Sequence, residues 1–309
     1  MTASDPPLGS VPHSTVVVDL QGGLGNQLFQ YAVGRSLAKA SDSQLLVNLR
    51  LLRRDLKRRL TLDAYPIRAR VVDSSQMRPP GRLRRCLARA GWRTGSLRQY
   101  PFGAPLVEEV DDQGCWDARL SALGTPVVLR GYFQSERYFS AIAADLRAEL
   151  VPLRAPGETF VRMKDAIRDA GPASASLHVR RGDYASDPVV LAFHGLLGAE
   201  YYGPALAVLC SRVPHVQMFV FTDDPTAAAA LLPPGLAATF VSGQGLTDVD
   251  ELALMSACCH HIIANSSYSW WGAWLGRPEG LTIAPRRWFA QPSDASIRDR
   301  FPAHWHVVG

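Results

Sequence analysis

The sequence has no long apolar run and no recognisable leader. No apolar segment reaches the roughly 18 residues that a membrane-spanning helix needs. The first fourteen residues, MTASDPPLGSVPHS, lack the basic start and apolar centre of a signal peptide and are typical of a disordered tail. These absences predict a cytoplasmic protein that does not span a membrane.

Disulfide and metal-binding patterns are also absent. The five cysteines are an odd number without Cys-x-x-Cys spacing, which indicates reduced thiols in a cytosolic protein. The run CCHH (258–261) invites a zinc interpretation, but neighbouring residues of a strand point to opposite faces and do not converge on one ion. The run DVD (248–250) has Asp-x-Asp spacing, but it opens a predicted helix, where acidic residues act as caps. These patterns predict no metal site.

Charge is distributed unevenly along the chain. The formal net charge is +5, but residues 50–98 hold fourteen arginines, one lysine and three aspartates, a local net of +12 that leaves −7 elsewhere. Such a stretch is either a solvated face, a surface attracted to an anionic membrane, or a nucleic-acid site. Nucleic acid ranks last, because aromatic residues are not interleaved with the arginines as stacking platforms. A peripheral contact of residues 50–98 with the inner face of a membrane therefore stands beside the solvated face.

Strands and helices alternate in the first half of the sequence. The β-branched run TVVVDL (15–20), the helical spacing of QLFQYAVGRSLAKA (27–40) and the strand QLLVNL (44–49) form a βαβ opening with a glycine-rich first turn. A strand over 126–133 and an amphipathic helix over 135–150, with a serine at its N-cap position, follow. This alternation predicts that the first half forms a Rossmann-like α/β domain.

The second half alternates in the same way, after a stretch at 151–173 that concentrates proline and glycine. Its predicted strands are ASLHVRR (175–181), VQMFVFT (216–222), ATFVS (238–242), HHIIAN (260–265) and LTIAP (281–285), and its predicted helices are 199–213, 225–233, 248–258 and 269–276. The prediction is an α/β protein of two doubly wound domains facing a cleft. We divide it into a tail (1–14), an N-terminal domain (15–165) and a C-terminal domain (170–309).

Polar residues follow the strands of the second half. Ligands of open parallel sheets bind outside the carboxyl ends of the strands, so these residues are expected at one edge. They are Arg180, Arg181 and Asp183 after the first strand, Thr222, Asp223 and Asp224 after the second, Ser242, Gly243 and Gln244 after the third, and Asn265, Ser266, Ser267 and Ser269 after the fourth. The arrangement suits a nucleoside diphosphate, because arginine forks match phosphate oxygens and a helix start attracts anions.

Individual members of this set have other interpretations. A carboxylate of TDD can bind guanine or ribose, but Asp224 can equally cap the following helix. Arg181 can form a salt bridge between domains, since alternation places it on the opposite face from Arg180. The NSSYS turn can be an ordinary N-cap, and the tryptophans of SWWGAW are favoured as core packing.

In the first half, GGLGN (22–26) is either a tight turn or a close backbone approach to a phosphate or sugar, with Gly23 and Asn26 as contacts.

Taken together, six segments resemble the bacterial α-1,2-fucosyltransferases, the inverting, metal-independent enzymes of glycosyltransferase family 11 that share a family with the blood-group H transferases. The segments are GGLGNQLFQYA (22–32), RGYFQSERYF (130–139), HVRRGDY (178–184), AFHGLL…EYY (192–202), VFTDDP (220–225) and ANSSYSWWGAWL (264–275). The resemblance implies a GT-B fold of two facing Rossmann-like domains. It implies GDP-β-L-fucose as the donor, bound by the C-terminal domain, a galactose-terminated glycan as the acceptor, fucosylated at its 2-hydroxyl, and no metal cofactor.

The resemblance also implies roles for particular residues. His178 would contact guanine and Arg180 the diphosphate, a carboxylate of Asp223 or Asp224 would bind guanine, and Ser266 and Ser267 would lie on the phosphate side. Asp183 and His194 are the candidates for a general base, with Asp183 favoured instead as a residue that holds the arginines. The remaining alternatives are a GDP-sugar transferase with another acceptor or linkage, and a non-catalytic GDP-sugar-binding protein.

Overall fold

The computed structural model describes residues 14–73, 98–99, 104–109, 116–182, 188–291 and 297–309. The chain divides into two compact units, Met1–Asp63 with Ile67–Glu149, and Ala64–Pro66 with Leu150–Gly309. Each unit contains one six-stranded sheet. The predicted α/β class with two doubly wound sheets is confirmed, whereas their arrangement about a cleft stays a prediction. The predicted tail (1–14) lies outside the described residues apart from its last member.

The first unit is wound around a mostly parallel sheet. Its elements are β1 (Thr15–Asp19), α1 (Leu24–Ala40), β2 (Gln44–Asn48), β3 (Arg70–Val72), β4 (Arg98–Gln99), β5 (Pro105–Glu108), β6 (Val127–Arg130) and α2 (Ala143–Glu149). The order across the sheet is β3-β2-β1-β6-β5-β4, with β4 antiparallel to β5 and the other pairs parallel. Apolar residues of five strands and their flanks, such as Val17, Leu46 and Val128, form a core on one face. The winding direction changes between β1 and β6, where ligands of open α/β sheets bind.

The predicted helix over 135–150 is wrong in its first half. Two short 3-10 turns, Glu136–Tyr138 and Ser140–Ile142, precede α2. Between them Phe139 leaves the helical conformation, with φ −141° and ψ 11°, and its ring is buried 6.0 Å from that of Phe29. The packing of this aromatic ring outweighs the helical periodicity. The predicted serine cap is confirmed, since the Ser135 hydroxyl accepts the Arg137 N–H.

The second unit has a sheet of six parallel strands covered on both faces. Its elements are α3 (Glu158–Ala170), β7 (Ser174–Val179), α4 (Pro188–His194), α5 (Ala199–Arg212), β8 (Gln217–Thr222), α6 (Pro225–Leu231), β9 (Ala238–Phe240), α7 (Asp248–Ala257), β10 (His260–Ile262), α8 (Ser267–Leu275), β11 (Thr282–Pro285) and β12 (His306–Val308). The order is β12-β11-β10-β7-β8-β9. One face packs on α5 and the other on α3 and α7. Among the described residues, no helix combines the length and apolar character needed to cross a bilayer.

Helix α3 occupies the proline- and glycine-rich stretch in which the sequence suggests a domain boundary. Its buried residues Met163 and Ile167 pack against Phe221 of β8 and Leu254 of α7. Helix α3 therefore belongs to the second unit, and the division between the units lies at Leu150 rather than between 165 and 170. Proline and glycine flank this helix without interrupting it.

A buried ionic cluster joins the two ends of the first unit. Glu149, the last residue of α2, accepts hydrogen bonds from Arg35 of α1 at 3.0 and 3.2 Å and from the Tyr31 hydroxyl. Arg68 adds an ion pair at 3.2 Å, and its backbone N–H donates to the Tyr31 oxygen at 3.0 Å. Burial and the adjacent carboxylate raise the pKa of Tyr31 above its usual value, so the phenol keeps its proton and donates it to Glu149.

Replacing Glu149 by alanine should destabilise the first unit strongly. The change leaves the buried Arg35 guanidinium and the Tyr31 hydroxyl without their acceptor, at a cost of about 3–5 kcal/mol. Urea unfolding followed by circular dichroism measures the effect. The matched control is Asp145→Ala on the same helix, whose ion pair with Lys39 is exposed and should matter little. Equal effects of the two substitutions would contradict the importance of the buried cluster.

Candidate active site

The centre of the candidate site is an ion pair at the carboxyl ends of two neighbouring strands. β7 and β8 are paired in parallel register with Val179 opposite Thr222, so the residues that follow lie side by side. The Asp223 Oδ2 atom lies 2.7 Å from Arg180 Nη1, and Asp223 Oδ1 accepts the Arg181 N–H at 2.8 Å. The Arg180 side chain is 28% exposed. Asp223 therefore fixes the direction of a guanidinium that still reaches solvent at this edge.

Gly182 leaves the space that this carboxylate needs. A Cβ atom at Gly182 would lie 2.5 Å from Asp223 Oδ2, closer than any normal contact. A side chain here would push Asp223 away from Arg180. The glycine of HVRRGDY is thus explained by the position of the ion pair. Asp183, the next residue in this motif, lies outside the described residues, and its expected role stays a prediction.

Asp224 has a different role from Asp223. Its carboxylate accepts the Ala227 N–H at 2.9 Å and so caps α6, which confirms the capping interpretation. Its own N–H donates to the Thr222 hydroxyl at 3.0 Å. Arg181 Nε lies 3.6 Å from Asp224 Oδ2, which is an ion-pair distance rather than a hydrogen bond. Asp224 is therefore directed toward the helix start and Arg181.

His178 is a buried, neutral imidazole beside the ion pair. Burial, helped by the charge of Arg180, lowers the pKa of His178 to about 3. Its carbonyl accepts the buried Tyr202 hydroxyl at 3.0 Å, and its ring centre lies 5.7 Å from that of Tyr268. Among the described residues, His178 Nδ1 has no hydrogen-bond partner. A neutral imidazole with one unused nitrogen can donate to or accept from a polar ligand.

Glu251 of α7 is a site residue that the sequence analysis missed. The Ser242 hydroxyl donates to Glu251 Oε2 at 2.7 Å and accepts the Thr222 N–H at 3.0 Å, so the carboxyl group is linked to the end of β8. Burial raises the pKa of Glu251, and Asp248 and Asp250 add to this effect. The first turn of α7 also contacts Tyr268 of α8, because the Tyr268 hydroxyl donates a hydrogen bond to the Asp248 carbonyl at 2.6 Å. Burial and then the charge of Glu251 raise the pKa of Tyr268, so this tyrosine lies close to both Glu251 and His178.

The serine-rich turn before α8 is largely used by the fold itself. The Ser266 hydroxyl accepts the Tyr268 N–H at 3.3 Å and caps the helix, as the alternative interpretation predicts. Ser269 is fully buried and accepts the Ala264 N–H at 3.2 Å. Asn265 donates to the His194 and Trp288 carbonyls at 2.9 and 3.3 Å. Ser267 is the half-buried first residue of α8, so its hydroxyl lies at the helix start, where backbone N–H groups have no partner within the helix.

His194 is connected to this turn through its backbone. It ends α4, and its carbonyl accepts the hydrogen bond from Asn265. Its ring packs against Phe193 and Phe289, with centres 4.8 and 6.0 Å away. The structure thus places His194 at the same edge of the second sheet as the serine-rich turn.

Gly23 and Asn26 lie at the carboxyl end of β1 in the first unit. Gly22 has φ +78°, and a Cβ there would lie 2.6 Å from Asn26 Nδ2, so the turn requires glycine. Gly23 immediately precedes α1. Asn26 Oδ1 accepts a hydrogen bond from Gln134 Nε2 at 2.8 Å. These two residues therefore occupy the switch point of the first sheet, whereas all other predicted site residues in the described ranges belong to the second.

The runs with metal-like spacing have structural partners. Thr247 and Asp250 form a capping box at the start of α7, which confirms the capping interpretation of DVD. His261 Nδ1 lies 2.8 Å from the Ser176 hydroxyl, and His260 Nε2 lies 3.0 Å from the Pro172 carbonyl, while Cys258 is buried in the core. Within the described part of the chain, no three His, Cys, Asp or Glu side chains form a metal-binding group. The tryptophans of α8 (Trp270, Trp271 and Trp274) are buried as core residues, as predicted.

The two buried histidines of the second sheet predict an acid-sensitive fold. Burial lowers the pKa of His178 and His261 to about 3, below the unfolded value of about 6.5. The free energy of unfolding therefore has its full value above about pH 6.5, where both states carry neutral imidazoles. It decreases as the pH falls, by about 2 kcal/mol per histidine near pH 5, because only the unfolded chain takes up the protons. Urea unfolding at several pH values measures it, and His261→Asn should remove about half of the slope. A flat profile would contradict the assignment.

Comparison with known proteins places this chain in a family. The sequence profile of glycosyl transferase family 11 matches residues 97–308. An α-1,2-colitosyltransferase from Escherichia coli is 31% identical over 298 residues, which cover 94% of this chain and 98% of that protein. The O-antigen biosynthesis glycosyltransferase WbnK, also from Escherichia coli, is 30% identical over 291 residues, covering 88% of this chain and 94% of that protein.

A search of solved structures finds the fucosyltransferase NodZ from Bradyrhizobium, with a TM-score of 0.47 and 14% identity over 86% of this chain and 94% of that chain. The family profile covers more than half of the sequence, and both Escherichia coli relatives align over nearly their full lengths. The resemblance seen in the motifs is therefore confirmed: the chain is a glycosyltransferase and belongs to glycosyl transferase family 11.

Proposed function

We propose that the chain is an inverting galactoside α-1,2-L-fucosyltransferase, which moves fucose from GDP-β-L-fucose to the 2-hydroxyl of a terminal galactose on a glycan. The observation that carries this proposal is the Arg180–Asp223 pair beside the neutral His178 at the carboxyl edge of the second sheet. A fixed cation and a neutral hydrogen-bonding ring at such an edge suit a diphosphate joined to a polar base.

Arg180 would bind the diphosphate of the donor. Asp223 holds the guanidinium at one end of its fork, which limits the conformational entropy lost when a phosphate binds. During transfer the galactose 2-hydroxyl oxygen attacks the anomeric carbon as the bond to the β-phosphate oxygen breaks. The hydroxyl loses its proton, and the leaving GDP gains negative charge. Arg180 and the N–H groups at the start of α8 would stabilise that charge more strongly in the transition state than in the ground state.

Glu251 would be the carboxylate that reads guanine. Asp223 is engaged by Arg180 and the Arg181 N–H, and Asp224 caps α6, so both carboxylates of TDD already serve the fold. Glu251 is half-buried, has a raised pKa, and keeps one oxygen beyond the one that binds Ser242. The two N–H groups on one edge of guanine would donate hydrogen bonds to the Glu251 carboxylate. They would stabilise the ionised form of Glu251 and offset the cost of burying its charge.

The α-1,2 linkage is supported by the α-1,2-colitosyltransferase, which aligns with 94% of this chain. The same relative favours a second candidate donor, GDP-colitose, since colitose is L-fucose without its 3-hydroxyl. The O-antigen role in the name of the second relative supports a surface-glycan acceptor. The base that receives the 2-hydroxyl proton would come from Asp183 or His194. We propose no metal requirement, because Arg180 and the helix start supply positive charge at the diphosphate.

Transfer should be detectable without added metal. The purified protein, EDTA, GDP-fucose and lactose should give free GDP and a fucosylated trisaccharide by mass spectrometry, and Arg180→Ala should lower the rate by about 10²- to 10³-fold. Arg212→Ala, at the exposed end of α5, is the matched control and should leave the rate unchanged. A parallel reaction with GDP-colitose decides between the two donors. If no GDP-sugar gives a product with any galactoside, the proposed donor and acceptor classes are wrong.

Substituting Glu251 should weaken selection of guanine. Calorimetric titration with GDP and with inosine diphosphate, which lacks the 2-amino group, should show a preference for GDP in the unmodified protein. In Glu251→Gln the affinity for GDP should fall by about tenfold or more, and the preference should shrink. Glu279→Gln, the same substitution at an exposed glutamate of the second unit, is the control. If Asp224→Asn produces this effect and Glu251→Gln does not, guanine is read by Asp224.

A further inference from the structure

An exposed basic loop leaves the first sheet at the carboxyl end of β2. The loop comprises residues 53–59, with the sequence RRDLKRR, and all seven residues are exposed. Five cationic side chains and one carboxylate give it a net charge of +4, and one of the cations, Arg53, is ion-paired with Asp73 outside the loop. At its centre Leu56 is 100% exposed, more than any other large hydrophobic residue of the described chain. We call residues 53–59 the basic loop.

Both ends of the basic loop are anchored to the first unit. Leu52, which precedes it, is buried in the interior with 3% exposure. At the other end the buried Gln27 of α1 donates from Nε2 to the Arg59 carbonyl at 2.8 Å and accepts the Thr61 N–H on Oε1 at 3.0 Å. Because the amide spans the two backbone groups, the end of the loop is fixed to the helix that follows the glycine-rich turn.

The exposure of Leu56 follows from a turn rather than from a loose chain. The Asp55 carboxylate accepts the Lys57 N–H at 2.9 Å, and the Asp55 carbonyl accepts the Arg58 N–H at 3.2 Å. These bonds close a tight turn with Leu56 at its tip. A structured turn therefore presents an apolar side chain to solvent in the middle of a cationic segment.

We propose that the basic loop docks on an anionic bilayer surface, with Leu56 entering the boundary of the acyl region and the surrounding cations contacting lipid phosphates. Cations near a negatively charged leaflet are attracted to it, and an apolar tip gains from leaving water. A nucleic acid would match the charge of the loop but would leave Leu56 in water. The apolar tip is the observation that favours a bilayer.

Docking would bring the switch point of the first sheet close to the membrane. A Cβ atom at Gly23 would lie 3.5 Å from Arg58 Nη1, so the basic loop and the glycine-rich turn are neighbours. An acceptor glycan carried on a lipid anchor would then be held near this edge. Membrane binding of this kind does not depend on which sugar nucleotide the second unit binds.

Vesicle co-sedimentation of the full chain tests the proposal. Vesicles with about 30 mol % phosphatidylglycerol in phosphatidylcholine should bind the protein at about 0.05 M salt and release it at about 0.5 M, whereas pure phosphatidylcholine should not bind. Leu56→Ser and Arg54→Glu should each lower the affinity by about tenfold. Both residues are exposed, so circular dichroism should show unchanged folding.

The matched controls are Leu153→Ser and Arg154→Glu, an exposed leucine and arginine in the second unit. They should bind the anionic vesicles like the unmodified protein. Absence of binding at low salt would overturn the proposal. A second result would also overturn the proposal. If Leu56→Ser bound the vesicles like the unmodified protein, and polyuridylate displaced both proteins, the basic loop would be a general polyanion site.

Discussion

The ion pair between Arg180 and Asp223 sets the geometry of the candidate active site. It depends on the parallel register of β7 and β8, which places the residues after Val179 and Thr222 next to each other. It also depends on Gly182, because any side chain there would displace the Asp223 carboxylate. The neutral state of His178 follows in part from the same arginine, whose charge lowers the imidazole pKa. The strand register and the space at Gly182 therefore determine where the Arg180 guanidinium lies, and its charge in turn affects His178.

The polar residues around this pair divide into those proposed to bind the donor and those that hold the edge together. Asp224, Asn265 and Ser269 bond to backbone groups of α6, α4 and the β10–α8 turn, so they define the shape of the site rather than its chemistry. The Tyr202 hydroxyl likewise holds the His178 carbonyl. An edge built in this way is preorganised, which lowers the cost of binding and of charge stabilisation.

Much of this could be predicted from the sequence, because β-branched runs and strand-end polar residues are local signals. The positions of β1, β2, β7 and β8 follow from them, and so does the grouping of Arg180 with Asp223. The interruption of the helix over 135–150 could not be predicted, since it depends on the packing of Phe139 against Phe29. Glu251 was missed for a similar reason. It lies in a helix rather than at a strand end, and only the tertiary contact through Ser242 connects it to the site.

A double-mutant cycle tests directly whether Asp223 acts on the bound nucleotide through Arg180. The affinity for GDP should be determined by calorimetry for the unmodified protein, Arg180→Ala, Asp223→Asn and the double variant. If Asp223 orients Arg180, the second substitution should add little to the first, giving a coupling energy of about 1 kcal/mol or more. Additive losses would show that Asp223 contacts the nucleotide independently and does not act through Arg180.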